Sequence, residues 1–159
     1  MSGLGVEKPL SGQVAVVTGG SRGIGRAISG ELARLGARLV INYARNAEAA
    51  EQVKAEIEAS GGSASVYGFD VGDEEQVESS FKEIAAKEGR LDILVNNAGI
   101  AIDALFVRMK DEDWQRTLRT NLTGCFYCAR AVSRHMMKAR YGRIINISSV
   151  IGQTGNAGQ

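Results

Sequence analysis

The chain has 159 residues, of which 44% are hydrophobic and 23% charged, as expected for an ordinary domain whose core needs no disulfide or metal. Its 19 basic and 18 acidic side chains leave a net charge of +1, which gives no support for binding nucleic acid or a membrane surface. The sequence has neither a signal-peptide run nor the roughly 18 apolar residues of a membrane span, so we expect a cytoplasmic protein.

Strands and helices alternate in the predicted structure. After an N-terminal extension (residues 1–12), short apolar runs predict strands at 13–18, 38–43, 63–69, 91–95 and 143–147. Amphipathic periodicity predicts helices at 23–35 and 47–60, one that starts behind Asp73, and a long one from Asp111 through Met136. The alternation is typical of βαβ units and predicts an α/β, doubly wound (Rossmann-type) parallel sheet over residues 13–159, with strand order 3-2-1-4-5.

The helix ends carry their own signals. Gly36 is expected to cap the first helix, Asp73 and Gln76 form a D-x-x-Q capping box, and Asp111 is expected to cap the long helix. The apolar stripe of the first helix is predicted to be Ile24, Ala27, Ile28, Leu32 and Leu35. That of the long helix is predicted to be Trp114, Leu118, Leu122, Cys125, Ala129, Val132 and Met136.

Cys125 and Cys128 form a C-x-x-C pair within the long helix. A redox pair would lie near a strand-to-helix turn, and a zinc site needs about four ligands, whereas His135 is the only histidine. We therefore expect both thiols to be structural, and no metal site.

The segment between the first strand and the first helix is rich in glycine, with the sequence TGGSRGIG at residues 18–25. Glycine permits a positive φ and lets the backbone approach a ligand closely. The helix that follows begins at that ligand, and its free N–H groups and dipole favour an anionic phosphate. Because the turn lies between a buried strand and a helix, it predicts a dinucleotide site rather than an ordinary turn.

The spacing of this turn, T-G-x-x-x-G-x-G, resembles that of the short-chain dehydrogenase/reductase family. The resemblance extends from Leu10 to Gln159, and it includes Asp70-Val71, Asn96-Asn97-Ala98-Gly99, Asn121 in T-N-L, and Ser148-Ser149. It implies that the pyrophosphate and adenosine end of a nicotinamide cofactor is lined by Gly19, Ser21, Arg22, Ile24 and Gly25. It also places the adenine ring at Asp70 and Val71, and the ribose and central cleft at Asn97, Ala98 and Gly99.

The end of the second strand indicates the type of cofactor. An NAD site usually offers a carboxylate there to the ribose 2′-OH, but this strand ends in NYAR at 42–45, with no carboxylate before Glu48. Arg22 and Arg45 supply guanidinium groups, which suit a 2′-phosphate. We therefore predict NADP(H), with Tyr43 and Arg45 in its site, while a solvated loop charge remains the alternative for Arg45.

The resemblance also implies two catalytic residues. Asn121 stands where the family has an asparagine that holds a water in a proton relay, and the alternative is a hydrogen-bonded core asparagine. Ser149 aligns with the serine that binds the reacting oxygen. Ser148 is the weaker candidate, and a serine pair is also compatible with a plain strand-ending turn.

The family's proton donor is a tyrosine in a Y-x-x-x-K segment. None of the four tyrosines of this chain is followed by lysine at the fourth position, and the resemblance places that segment shortly after Gln159. We therefore expect a piece of a longer protein, with an incomplete sheet and almost no activity by itself. The alternative is a complete, non-catalytic nucleotide-binding module.

Within the family, segments in 99–114 and at 142–150 are most similar to the 3-oxoacyl-acyl-carrier-protein reductases. This similarity implies NADPH-dependent reduction of a 3-oxoacyl thioester to the 3-hydroxyacyl form in fatty-acid synthesis, by a homotetramer. An acetoacetyl-CoA reductase or another short-chain reductase is the alternative. Lys138, Arg140 and Arg143 form a basic cluster that suits an acidic acyl carrier protein or, equally, complements a helix dipole.

Overall fold

A five-stranded parallel sheet lies at the centre of the computed structural model, which describes residues 8–159. The strand order is β3-β2-β1-β4-β5, as predicted, and the doubly wound class is confirmed. Of the predicted N-terminal extension, residues 1–7 lie outside the described residues. The strands are β1 (Val14–Val17), β2 (Arg38–Tyr43), β3 (Ser63–Gly68), β4 (Ile93–Asn96) and β5 (Arg143–Asn146).

Helices connect the strands and cover both faces of the sheet. They are α1 (Gly23–Arg34), α2 (Ala47–Ala59), α3 (Glu74–Glu88), α4 (Asp111–Leu118), α5 (Gly124–Ala139) and the short α6 (Ile151–Thr154). A 3-10 turn at Phe106–Arg108 precedes α4, and a π turn at Arg119–Thr123 joins α4 to α5. In the part of the chain that the structure describes, no helix combines the length and the apolar character needed to cross a bilayer.

Alternate residues of β1 contribute to two separate hydrophobic cores. Val14 and Val16 pack in the core formed with α3 and α5, whereas Ala15 and Val17 pack in the core formed with α1 and α2. Successive side chains of a strand point to opposite faces, so a strand covered by helices on both sides must be apolar throughout. This explains why the first strand is a continuous apolar run in the sequence.

Glycine ends α1 as predicted. Gly36, at φ +99°, donates its N–H to the Ala33 carbonyl at 2.9 Å, and the next N–H, from Ala37, reaches the Leu32 carbonyl at 3.0 Å. This is a Schellman motif, which satisfies carbonyl groups that the helix end leaves free. It turns the chain directly into β2.

The capping box of α3 is confirmed, with one difference in its hydrogen bonds. Asp73 Oδ1 accepts the Gln76 N–H at 3.1 Å, and Gln76 Nε2 donates to Asp73 Oδ2 at 3.0 Å. Gln76 Oε1 accepts the N–H of Asp70 at 3.1 Å instead of the N–H of Asp73. The box therefore also fixes the backbone at Asp70, which is a predicted cofactor residue.

The predicted long helix is present, since helical residues run without a break from Asp111 to Ala139, but the predicted cap and part of the predicted stripe are wrong. Lys110 is the N-cap, no side chain caps the helix, and Asp111 is the first helical residue. Trp114 and Leu122 are 50% and 66% exposed, so they do not belong to a buried stripe. The π turn fits an extra residue into the helix and rotates α5 relative to α4, so a period of 3.6 residues cannot be continued across it.

The stripe predicted on α1 is wrong at its N-terminal end. Ile24 is 64% exposed, and the residues buried against the sheet are Gly25, Ser29 and Ala33. Small side chains allow the helix to lie close to the strands, which leaves the bulkier Ile24 free at the end that faces the glycine turn.

Strand β5 forms an edge of the sheet, as expected. It pairs with β4 alone, and all of its residues are exposed. On α5, apolar side chains are exposed as well, at Phe126 and Met137. Exposed apolar side chains on a strand edge and on a helix are typical of surfaces that bind another part of a protein.

Candidate cofactor and active site

The glycine turn between β1 and α1 has a shape that favours glycine at two of its positions. Gly19 lies at φ +61° and Gly23 at φ +52°, in the left-handed region that L side chains disfavour. At Gly25 the constraint is space, since an added Cβ would overlap the Gly19 carbonyl oxygen and lie 2.5 Å from Asn97 Nδ2. The turn is thus closely packed against the segment after β4.

Hydroxyl and amide groups hold this turn in place. Thr18 Oγ1 accepts the N–H groups of Asn97 and Ala98, each at 3.0 Å. Asn97 Nδ2 donates in return to the Thr18 carbonyl at 2.9 Å and to the Gly19 carbonyl at 3.1 Å. The predicted residues Gly19, Asn97 and Ala98 are therefore brought together, and Thr18 is a residue that our sequence analysis missed.

A second missed residue is Asn42, at the end of β2. Its side chain is buried, and its Oδ1 accepts the Gly19 N–H at 3.1 Å. No motif in the sequence marks this residue, because an asparagine at a strand end is also typical of an ordinary turn. The observation that it is 2% exposed separates the two interpretations.

The beginning of α1 is open to an anion. Arg22 is the N-cap residue with no side-chain capping bond, and the first turn contains no acidic side chain. The N–H groups at this end and the positive end of the helix dipole are therefore available to a phosphate. Arg22 is exposed and forms no salt bridge within residues 8–159, while Ser21 lies half-buried beside it.

The predicted adenine and ribose residues differ in what they can contribute. Val71 is buried in the core against Gly124, so it can meet a ligand only through its backbone. Asp70 is exposed, but its Oδ1 accepts the Gly72 N–H at 2.8 Å. Tyr43 is half-buried with its ring over Gly68, and Arg45 is exposed on the loop that follows.

Asn121 lies in the π turn and binds the segment after β4. Its Oδ1 accepts the Ile100 N–H at 2.9 Å, and its Nδ2 donates to the Ile100 carbonyl at 2.8 Å. Gly99 is adjacent, because a Cβ built there would lie 3.4 Å from Asn121 Oδ1. Asn121 is exposed in the described structure, and both polar ends of its amide are hydrogen-bonded. π turns of this kind often occur at functional sites.

Ser149 follows β5 in an exposed loop. Its Oγ accepts the Ile151 N–H at 3.2 Å, which starts the short α6. Ser148 is also exposed. The hydrogen bonds of Ser149 stay within its own loop, so the described structure does not link it to Asn121 or to the glycine turn.

The two cysteines lie on the inner side of α5. Burial raises the pKa of the Cys128 thiol to about 12, and it also raises the pKa of Cys125. The Cys125 thiol donates to the Asn121 carbonyl at 3.2 Å. Raised pKa values favour the unreactive thiol, which agrees with a structural role. Among residues 8–159, no three His, Cys, Asp or Glu side chains are grouped as a metal site.

The parallel sheet, with a glycine turn at the carboxyl end of β1, defines a doubly wound α/β protein. A family model described as short chain dehydrogenase matches residues 13–159. The chain therefore belongs to the short-chain dehydrogenase family.

Relatives named as reductases, and a solved structure, are also similar to this chain. A 3-oxoacyl-acyl-carrier-protein reductase from Synechocystis is 51% identical over 150 residues, which are 94% of this chain and 61% of that protein. A reductase of the same name from Staphylococcus aureus is 46% identical over 145 residues, covering 91% of this chain and 59% of that protein. The chain thus spans about 60% of the length of these curated relatives.

The solved structure is that of a metagenomic short-chain oxidoreductase in complex with NADP. It superposes with a TM-score of 0.89 at 42% sequence identity, covering 93% of this chain and 67% of that one. The similarity confirms the fold independently of the sequence motifs.

Proposed function

We propose that the protein carrying this chain reduces a 3-oxoacyl thioester, bound to acyl carrier protein, to the 3-hydroxyacyl form with NADPH in fatty-acid synthesis. The observation that carries this proposal is the 46–51% identity to relatives of that name over nearly the whole chain. We assign to residues 13–159 the role of a dinucleotide-binding domain. We place the protein in the cytoplasm.

The residues at the glycine turn fit a dinucleotide. Gly25 and Gly19 let the turn pack closely against Asn97 and Ala98, and the uncapped start of α1 offers N–H groups to a pyrophosphate. On the proposed site, Ser21, Arg22 and Ile24 lie at the phosphates and adenosine, and Asp70 with the Val71 backbone lies at the adenine. Asn97, Ala98 and Gly99 lie along the ribose and the central cleft.

We propose NADP(H) over NAD(H) because of the charges around this site. Tyr43 ends β2 where an NAD site usually has a carboxylate. Arg22 and Arg45 are exposed and have no carboxylate partner within residues 8–159. A guanidinium group binds a phosphate through paired hydrogen bonds, so both arginines favour a 2′-phosphate.

Ser149 is proposed to bind the carbonyl oxygen of the substrate. When bound, NADPH supplies the hydride for the carbonyl carbon. Because Ser149 Oγ accepts the Ile151 N–H, its own hydrogen remains free to donate to the oxygen as negative charge develops there. Asn121 is proposed to hold a water near this oxygen. We assign the final proton transfer to no tyrosine of this chain, since none lies in a Y-x-x-x-K segment.

The acyl carrier protein is proposed to dock at the basic cluster that begins in the last turn of α5. Lys138, Arg140 and Arg143 are exposed and form no salt bridge within the described part of the chain. The Arg143 guanidinium lies 5.3 Å from the centroid of the Tyr141 ring, within the range of a cation–π interaction. We further propose that the exposed apolar residues of α5 are covered by other copies of the protein in a homotetramer.

The reductase proposal is tested by replacing Ser149 with alanine in the complete protein. We expect Ser149→Ala to lower kcat by about 10²- to 10³-fold, the usual effect of losing one donor to a developing oxyanion. The measurement is NADPH consumption with a 3-oxoacyl thioester on acyl carrier protein and on coenzyme A. Ser148→Ala is the matched control and should retain normal activity.

The two thioesters also separate the proposal from its nearest alternative. A higher kcat/KM with the carrier-bound substrate supports the carrier-protein reductase, whereas a preference for the coenzyme A thioester would favour an acetoacetyl-CoA reductase. Normal activity in Ser149→Ala would contradict the role assigned to Ser149.

A further inference from the structure

Asn42 joins segments of the cofactor site that are far apart in the sequence. Its Oδ1 accepts the Gly19 N–H at 3.1 Å, and its backbone carbonyl accepts the Gly20 N–H at 3.0 Å. Its Nδ2 donates to the carbonyl of Phe69 at 2.9 Å, with the carbonyls of Tyr43 and Tyr67 at 3.2 and 3.4 Å. One buried amide therefore connects the glycine turn to the ends of β2 and β3.

These contacts link the two protein segments that are proposed to bind opposite ends of the dinucleotide. Gly19 opens the turn that faces the pyrophosphate, and Phe69 immediately precedes Asp70 and Val71 at the proposed adenine position. Two consecutive N–H groups of the turn, from Gly19 and Gly20, point back to Asn42. The N–H groups left for a phosphate are consequently those from Ser21 onward.

The carboxamide of Asn42 can make both of these backbone contacts, and it cannot recognise the cofactor directly. An amide offers an acceptor and a donor at one end, so it can pair with an N–H and a carbonyl at the same time. Asn42 is 2% exposed and both of its polar atoms are engaged by backbone groups. It therefore has no group left for a ribose hydroxyl or a phosphate.

We propose that Asn42 is a positioning residue that sets the spacing between the pyrophosphate turn and the adenine segment, and thereby the affinity for both NADPH and NADH. This inference rests on the proposed dinucleotide site. Because Asn42 does not touch the 2′-position, it determines how tightly the cofactor binds and not which cofactor is chosen. The preference for NADPH over NADH is assigned to Arg22 and Arg45.

The first test is a titration of the complete protein with NADPH and with NADH, followed by nicotinamide fluorescence. We expect Asn42→Ala to weaken both cofactors by about tenfold, equivalent to about 1.4 kcal/mol, with their ratio unchanged. Arg22→Ala should weaken NADPH more than NADH. Ile57→Ala, which empties a core site on α2 away from the turn, is the stability control and should leave both affinities within about twofold.

The second test measures the protection of amide groups in the turn, so it does not depend on the size of the affinity change. Amide hydrogen exchange is measured by NMR at Gly19 and Gly20 in the wild type and in Asn42→Thr, whose β-branched side chain suits a strand but is too short to bridge Gly19 and Phe69. Exchange at Gly19 should accelerate, whereas Gly20 stays protected because its partner is the backbone carbonyl of residue 42.

The possible outcomes distinguish a failure of the proposed function from a failure of the positioning role of Asn42. If the wild type binds neither cofactor, the proposed function fails and this inference fails with it. If the wild type binds but Asn42→Ala matches Ile57→Ala in affinity, or if its NADPH-to-NADH ratio shifts as in Arg22→Ala, the positioning role alone is overturned. Unchanged exchange at Gly19 in Asn42→Thr would overturn it as well.

Discussion

Two glycines of α1 show how differently the same residue is used within one helix. A Cβ at Gly25 would overlap the Gly19 carbonyl oxygen and approach Asn97, whereas a Cβ at Gly30 would meet nothing within 4 Å. Gly25 is therefore required by packing between the helix and the turn. Gly30 brings only the conformational cost of glycine in a helix.

This difference gives a matched pair of variants. Gly25→Ala is expected to destabilise the fold by about 1–3 kcal/mol, because the turn must shift to admit a methyl group. Gly30→Ala is expected to stabilise it by about 0.5–1 kcal/mol. Urea denaturation measures both, and a cofactor titration should show weakened binding in Gly25→Ala alone. Equal effects of the two variants would contradict the packing argument.

Gly19 and Gly25 could be predicted from the glycine motif, because their spacing between a strand and a helix is informative by itself. Thr18 and Asn42 escaped prediction for a physical reason. Their roles depend on hydrogen bonds to Asn97, Ala98 and Phe69, which lie 27 to 80 residues away. Such contacts exist only after the parallel strands have been placed side by side.

Among the secondary-structure elements, α3 has the best-defined beginning. The Gln76 N–H donates to Asp73, and this hydrogen bond holds the pKa of the Asp73 carboxyl below its usual range. A carboxyl whose pKa is lower in the folded state stabilises the fold above the unfolded-state pKa. Its contribution is then lost as the pH falls through the folded value.

Asp73→Ala should accordingly lower the urea midpoint at neutral pH. The difference from the wild type should shrink as the pH falls below the unfolded-state value of about 3.9. Asp73→Asn is the control, since it keeps a capping oxygen that does not ionise, and its midpoint should lie above that of Asp73→Ala at every pH. A wild-type advantage that persists undiminished at the lowest pH would rule out the ionised cap as its source.

The helices were predictable from the sequence wherever their periodicity was uninterrupted. α2 and α3 meet this condition, and their apolar residues at helical spacing, such as Val53 and Phe81, are buried. The segment from Asp111 to Ala139 does not, because the π turn at Arg119–Thr123 shifts the period. Nothing in the letters RTNLT distinguishes a π turn from an ordinary helical turn.

Across the whole molecule, the strands of the sheet differ in how completely their neighbours cover them. β1 is surrounded by β2 and β4 and by helices on both faces, whereas β5 pairs with β4 alone. The order of the strands was predictable, since right-handed βαβ crossovers leave few alternatives. The exposure of β5 followed only from the family resemblance, because Arg143–Ile147 is as apolar as a central strand.

A polypeptide of residues 1–159 should therefore associate through β5. Ile145 is 46% exposed, and Ile145→Lys is expected to reduce concentration-dependent association, measured by light scattering, because charge on an edge strand opposes pairing. Val107→Lys is the control, since Val107 is 87% exposed but lies outside the sheet. If both substitutions reduced association equally, general hydrophobicity and not the strand edge would be responsible.

The groups that hold the glycine turn have one more property in common. Thr18, Asn42 and Asn97 act through a hydroxyl and two carboxamides, none of which gains or loses a proton under conditions in which proteins fold. The single histidine, His135, lies on α5. A phosphate monoester, by contrast, loses its second proton near pH 6. The three residues that hold the glycine turn therefore do not ionise near neutral pH. We expect a change in NADPH affinity between about pH 5 and 8 to originate in the 2′-phosphate of the ligand itself.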